Sequence, residues 1–324
     1  MTAETRLFAI SDGRAGNARQ AEALAAAIGG EVTVFRTEPN RPWRWFAPRL
    51  IPGYRRMMTR AFGAVLAGPP PDFLVGCGRQ AAFWLRALKR HWPNTFAVQI
   101  LDPRVAWGEF DLIVCPEHDE LAGPNVLVTL GALHDLTAER LQQARRRFSD
   151  LDRRPRPITS LLIGGPSPML PLNAESVRHL LSRIEHLPGQ HQGSLLVTTS
   201  RRTPKAVSEQ IAAHCAAMPG TQFWSPDHPG DNPYVGFLAC ADRIVVTPDS
   251  VNMLSEAVAV GVPVYTLCEQ EPTGKFAHFH AALRERGLLH PLGTLGWPRP
   301  PLRETENIAE AVRLRWQAHR ENER

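Results

Sequence analysis

Long apolar runs, lysine and paired cysteines are what this sequence has least of. The apolar stretch around Val258 to Val264 is far short of the roughly 18 residues that a membrane-crossing helix needs, so no such helix is expected. Met1 to Thr5 lead straight into a strand-like run, with no basic start and no apolar segment behind it. A signal peptide is therefore not expected, and the default compartment is the cytosol. Cys77, Cys115, Cys215, Cys240 and Cys268 lie far apart, with no CxxC and no histidine at ligand spacing. They read as reduced core residues, and no metal is expected to take part. Only Lys89, Lys205 and Lys275 are lysines, so the formal charge of +5 is carried almost wholly by arginine. Guanidinium forks suit phosphates and other planar anions. An excess of this size is compatible with nucleic acid, an anionic membrane or a phosphorylated small ligand, and does not choose among them.

What is there is globular. The chain has 324 residues, 43% hydrophobic and 21% charged, a length that suits two domains of about 150 residues each. Leu7 to Ser11 is a short apolar strand, followed by the turn Asp12-Gly13-Arg14-Ala15-Gly16 and an Ala-rich helix from Asn17 to about Ile28. Glu31 to Arg36 is the next strand. Phe73 to Gly76 repeats the device through Gly76-Cys77-Gly78 and a helix to His91, and Thr95 to Ile100 and Asp111 to Cys115 are further buried strands. Strands alternating with helices predict an α/β, doubly wound parallel sheet. Arg147 to Pro157 is polar and holds two prolines near its end, so the domain boundary is expected there: a first domain over 1–147, a linker over 148–157 and a second domain over 158–302. Beyond the boundary the alternation restarts with Ile158 to Ile163 and runs through to the strand Val262 to Leu267. Residues 303–324 close the chain. Within them Glu304 to His319 carries Ile308, Ala311, Val312 and Trp316 at helical spacing, an apolar face able to cross back onto the first domain.

The densest chemistry lies in Ala241 to Val264. A buried strand ends at Thr247-Pro248-Asp249, a helix starts at Ser250, and that helix stops before Gly261. Such a turn presents backbone N–H groups and a positive helix end where a phosphate binds. Ser250 and Asn252 add a hydroxyl and an amide, and Glu256 has oxygens for a ribose diol. The plainer alternative is that Asp249 or Ser250 caps the helix and Glu256 is solvated. Gly164-Gly165 follows a strand and allows close backbone approach. Thr198 to Lys205 places Arg201 and Arg202 at a strand end, a geometry suited to a diphosphate, and Lys275 in the Thr273 to His280 segment is a further donor to the same crevice. Ordinary surface charges and a mobile loop are the alternatives.

The pattern AD-strand-S-x4-S-E-A-x3-G-x-P resembles the nucleotide-binding strand-turn-helix of GT-B glycosyltransferases, such as the lipid-linked peptidoglycan N-acetylglucosaminyltransferases and the Kdo transferases. That resemblance implies two Rossmann-like domains facing across a cleft, with the acid corresponding to Glu256 on the nucleotide ribose and the helix start at Ser250 facing the diphosphate. Over most of the chain, Ser11 to Gln20 and Thr247 to Met253 resemble the mitochondrial-fission "elongated mitochondria" family, which has bacterial members. Its plant members are implicated in recruiting a dynamin-like protein to mitochondria, so the resemblance also implies action through protein or membrane interaction.

In the first domain, Asp12-Gly13-Arg14-Ala15-Gly16-Asn17 is not GxGxxG, and Arg36 and Thr37 stand where an adenine ribose would need an acid. NAD binding is disfavoured, and with it a dehydrogenase or an epimerase. No cofactor is expected, a nucleotide sugar being the substrate. If the protein is a transferase, Gly13, Arg14, Gly16 and Asn17 form the acceptor loop and Asp12 is the best-placed general base, with Asp102 and His118 in reserve; a turn role for Asp12 is the competing reading. Between Arg41 and Arg60, Trp43 and Trp45 interleave with Arg55, Arg56 and other arginines. The mixture suits an anionic membrane surface; a helix that simply buries its Trp and Met while its arginines reach into water is the competing reading. Lipid is preferred to nucleic acid because no RRM, KH or helix-turn-helix signature accompanies it. The expected place is the cytoplasm, peripheral at the inner face of the membrane, with a lipid-linked acceptor.

Overall fold

The computed structural model of the protein describes residues 5–322, so Met1 to Glu4 of the N-terminal stretch read above lie outside the described residues. The chain forms two compact units. One runs up to Asp135 and is completed by residues from Arg303 onward; the other is Leu136–Leu302.

The first unit is a six-stranded parallel sheet in the order β2-β1-β3-β4-β5-β6. Its strands are β1 Arg6–Ser11, β2 Glu31–Arg36, β3 Phe73–Cys77, β4 Phe96–Ile100, β5 Leu112–Pro116 and β6 Val126–Thr129. Strands β3, β4 and β5 are buried at every position. They read as continuous apolar runs because helices cover both faces of the sheet. The covering helices are α1 Ala15–Ile28, α2 Trp43–Phe46, α3 Tyr54–Leu66 and α4 Arg79–His91.

The second unit opens with α5 Ala138–Arg147 and α6 Ser149–Asp152. The expected boundary at 148–157 therefore falls inside this unit. Helix α5 packs on a later helix, α9, with Arg145 donating to the Ala239 carbonyl, and this contact outweighs the break that the prolines impose. The sheet is again parallel and six-stranded, in the order β12-β11-β10-β7-β8-β9. Its elements are β7 Ile158–Ile163, α7 Ala174–Glu185, β8 Ser194–Thr199, α8 Lys205–Ala217, β9 Thr221–Trp224, α9 Tyr234–Cys240, β10 Arg243–Val246, α10 Val251–Val258, β11 Val264–Thr266, α11 Lys275–Glu285 and β12 His290–Pro291. Read from β9, the strand order is that of a Rossmann domain, with its reversal between β7 and β10. Helix α7 starts with a capping box: Asn173 accepts from the Glu175 and Ser176 N–H groups, and the Asn173 N–H donates to Ser176. The segment Thr273 to His280 is helical from Lys275, the first residue of α11, and β11 is followed by one more strand.

The closing helix, α12 Glu304–Asn322, belongs to the first unit and packs on α1. Ile308, Ala309 and Val312 enter the core with Ala21, Leu24, Ala25 and Ile28, and the Trp316 ring lies 4.8 Å from that of Phe73. Burying Ile308 and Val312 stabilises the attachment by roughly 1.5–3 kcal/mol each. Glu304 adds direction, accepting from the Leu130 and Gly131 N–H groups at 2.8 and 3.1 Å. None of the five cysteines is in a disulfide, and all but half-buried Cys268 are buried. Burial pushes the Cys215 thiol up to about 12, far from a reactive thiolate.

Candidate functional site

In the second unit the sheet order sets the ends of β7 and β10 side by side, which is where an open α/β sheet leaves room for a ligand. A buried carboxylate organises that place. Asp249 Oδ2 accepts the Gly165 N–H at 2.8 Å, Oδ1 accepts the Thr247 hydroxyl at 2.7 Å, and Arg202 pairs with Oδ2 at 2.5 Å. Thr247 in turn accepts the Gly164 N–H at 2.7 Å, and Thr203 donates to the Gly164 carbonyl at 2.6 Å. Glycine at 164 is a steric requirement, because a Cβ there would lie 2.3 Å from Asp249 Oδ1. At 165 a Cβ would lie 2.9 Å from that of Arg202.

The Asp249 side chain is 3% exposed while that of Arg202 is 54% exposed. The carboxylate is thus enclosed and the guanidinium faces water with donors to spare. Gly164, Gly165, Arg202 and Ser250 are brought together around Asp249. Ser250 is the N-cap of α10, accepting the Met253 N–H at 3.3 Å. Arg201 is exposed beside Arg202, Asn252 is half-buried in the first turn of α10, and Lys275 is exposed at the first residue of α11. Glu256 is buried, and the Tyr234 hydroxyl donates to its Oε2. It is therefore neither solvated nor open to a ribose in this arrangement.

Sequence reasoning had Asp249 only as a cap and passed over Thr203, Thr247, Tyr234 and His280. The available signal was the pairing of Gly-Gly after one strand with Thr-Pro-Asp after another, since two glycines leave a space that something must fill. His280 is wholly buried, with Nε2 3.0 Å from the Pro248 carbonyl, and so ties α11 to the same turn. Burial, more than the nearby Arg284, pushes its pKa down.

In the first unit, Asp12 closes onto its own loop. Its Oδ1 accepts from the Arg14 N–H and the Asn17 amide, each at 3.1 Å, and Arg14 Nε lies 3.5 Å from Oδ2. Gly13 takes a left-handed conformation, φ 77°, and Gly16 lies inside α1. The Asn17 amide fills the space over Gly78, where a Cβ would lie 2.7 Å from Nδ2. Asp102 likewise accepts from its own turn, at the Arg104 N–H, and His118 lies in the short turn just after β5.

The aromatic and arginine stretch divides. Trp43 is half-buried, donating to the Pro52 carbonyl at 3.1 Å, and Met57 and Met58 enter the core. Trp45 is 63% exposed, with the Arg41 guanidinium 5.2 Å from its ring, and Arg55 and Arg56 are exposed. Among the described residues no helix is long and apolar enough to cross a membrane.

A family model described as mitochondrial fission ELM1 matches residues 15–316. The chain belongs to that family. It is 30% identical over 273 residues to the mitochondrial fission protein ELM1 of Arabidopsis thaliana, a match covering 75% of this chain and 63% of that protein, so the chain spans less than two thirds of that relative. It is 26% identical over 298 residues to an uncharacterised protein of Rickettsia prowazekii, covering 80% of this chain and 82% of that one. Among solved structures it is similar to a UDP-GlcNAc 2-epimerase of Methanocaldococcus jannaschii, with a TM-score of 0.58 at 14% identity over 96% of this chain and 100% of that one. It is also similar to the UDP-GlcNAc 2-epimerase of Neisseria meningitidis bound to UDP-GlcNAc, with a TM-score of 0.52 at 14% identity over 95% and 90%. The two Rossmann-like domains are those of the GT-B type of fold, as the sequence resemblance implied. At such identities the likeness fixes the fold alone.

Proposed function

We propose that this family member binds a uridine or cytidine diphosphate sugar in its second unit and transfers the sugar to an envelope or lipid-linked acceptor. The observation that carries the reading is the half-exposed Arg202, held by enclosed Asp249 at the switch point beside the Gly164-Gly165 backbone and the start of α10. Asp249 fixes the guanidinium in place, so its remaining donors meet a diphosphate with little reorganisation, and Arg201 adds charge as the leaving group forms. The free N–H groups of the first turn of α10 contribute in the same direction. Asp12 is the base assigned to the acceptor hydroxyl. The UDP-GlcNAc bound to the Neisseria neighbour supports a nucleotide sugar as the ligand class.

A second reading has its own observations. Asp12 is occupied by its own loop and Glu256 by Tyr234, and the chain is of the fission family, so the fold also suits a non-catalytic scaffold acting by protein or membrane interaction. Both readings place the protein peripherally on an anionic membrane from the cytoplasmic side, supported by exposed Trp45, Arg55 and Arg56. Calorimetry against a panel of nucleotide sugars, followed by nucleotide diphosphate release with an envelope lipid extract, separates them. Binding with release supports the transferase, and no release from any donor supports the scaffold.

A further inference from the structure

The first unit carries a groove that neither loop of the candidate site uses. It lies between α3 and α4, has a volume of about 580 Å³, and is lined by Tyr54, Arg55, Met58, Leu66, Ala87 and Arg90 among others. Its origin is local. The backbone at Gly63 leaves the helical range, with φ 2° and ψ −89°, and a Cβ there would meet nothing within 4 Å. The helix is kinked there, and Val65 and Leu66 in its last turn are left half-buried.

Charge and polarity then select an occupant. Between Glu38 and Asp72 the sequence holds six arginines and no carboxylate. Among the described residues no carboxylate pairs with Arg55, Arg56, Arg60 or Arg90, whereas Arg86 and Lys89, on the same helix as Arg90, pair with Glu109 and Asp111. Arg55 and Arg90 instead gather on Tyr54. Arg55 Nε is 3.5 Å from the Tyr54 hydroxyl, and the Arg90 guanidinium is 5.8 Å from the ring. Two guanidinium groups with no carboxylate partner, beside half-buried Leu66 and the buried Met58 and Ala87 of the groove wall, suit a ligand that is anionic at one end and apolar at the other. Next to the groove, Trp43 ties α2 to the Pro52-Gly53 entry of α3. This leaves Trp45 and Phe46 63% and 50% exposed on the adjoining segment. Such rings lose less in a headgroup layer than in water.

We propose that the α3–α4 groove seats the phosphate and upper acyl carbons of an anionic phospholipid, with Arg55 and Arg90 on the phosphate, and that Trp45 and Phe46 enter the same leaflet. This rests on the membrane half of the functional reading and names the site that performs it. A space of this size is within the ordinary range for a small-molecule cleft, about 300–1,000 Å³.

The test is co-sedimentation of the full chain with phosphatidylcholine vesicles, with and without phosphatidylglycerol, at low salt. The wild type is expected to bind only when phosphatidylglycerol is present. The pair Arg55→Gln, Arg90→Gln should weaken binding at least tenfold, at about 1 kcal/mol for each arginine at the surface. The pair Arg49→Gln, Arg60→Gln removes the same charge at exposed positions outside the groove lining and should weaken it far less, because neither guanidinium reaches the phosphate seated in the groove, with unchanged melting confirming that both variants fold. Equal weakening by the two pairs would overturn the groove while leaving the membrane location standing. Absence of vesicle binding by the wild type would overturn both, without touching nucleotide-sugar binding in the second unit. Release from vesicles by soluble glycerol phosphate at matched phosphate concentration would reassign the groove to a free phosphate and so overturn the lipid assignment.

Discussion

Each unit ends a strand in an aspartate beside the reversal of its strand order, and the two carboxylates are used differently. Asp12 follows β1 and binds residues two and five positions away, so it shapes its own turn. Asp249 follows β10 and reaches Gly165 and Arg202, which lie after β7 and β8, so it ties three strand ends together. In both units a glycine on the neighbouring strand end, Gly78 or Gly164, makes room for the polar side chain that fills the gap. The first unit fills it with neutral Asn17. The second fills it with a charge that a half-exposed arginine must neutralise. A locally satisfied carboxylate leaves its loop self-contained, whereas a carboxylate shared among strands fixes a cation at their ends.

The comparison is broken most sharply at Asp12. If Asp12 serves as a base as well as a turn former, Asp12→Asn should lower turnover about 10² to 10⁴-fold, since that is the usual worth of general-base catalysis. The amide oxygen can still accept from Arg14 and Asn17, so melting should barely move and donor affinity should stay intact. Turnover equal to wild type would leave Asp12 with the turn alone. The next largest effect is expected from Asp249→Ala, which strips Gly165 and Thr247 of a buried partner. It should cost about 3 kcal/mol by urea unfolding, below the full cost of breaking a buried ion pair because Arg202 remains hydrated. A loss below about 1 kcal/mol would mean that water replaces the carboxylate.

Arg202→Ala sharpens the comparison from the other side. Removing the side chain leaves the enclosed Asp249 carboxylate with only the Gly165 and Thr247 donors, and water entering where the half-exposed guanidinium lay limits the loss to about 1–2 kcal/mol by urea unfolding. Affinity for a nucleotide diphosphate sugar should fall roughly tenfold, the effect of losing one charge-assisted contact. Equal affinities by calorimetry would remove the arginine from the site. The smallest effect concerns pH. Burial depresses the pKa of His280 in the folded chain, so the unfolded chain takes up its proton first. Stability should therefore hold above about pH 6.5 and decline as pH falls below it. His280→Gln should flatten that decline, with His290, also depressed by burial, supplying a remainder. An unchanged slope would show that the turn at Pro248 does not depend on a neutral imidazole.

The alternation of strands and helices was legible because buried parallel strands are short apolar runs, and Val75, Val98 and Val114 could hardly sit elsewhere. The closing helix was legible from Ile308, Val312 and Trp316. Strand β6 and the two-residue β12 were not, being too short or too exposed for periodicity to register. Helix α5 was missed because most of its surface is polar, with only Leu141 and Ala144 buried. Trp43 and Trp45 looked alike in sequence, and only the Pro52 carbonyl that accepts from Trp43 separates them.

The sequence by itself determined two doubly wound units, the glycine turns at their strand ends and the residue types available there, because these follow from local spacing and backbone preference. Tertiary structure alone decided which turns meet. Gly165 and Asp249 are 84 positions apart and become neighbours only because β10 pairs with β7. Whether a carboxylate caps a helix, closes a loop or holds an arginine depends on which partner lies within about 3 Å, and that distance is set by strand order, which no local pattern encodes.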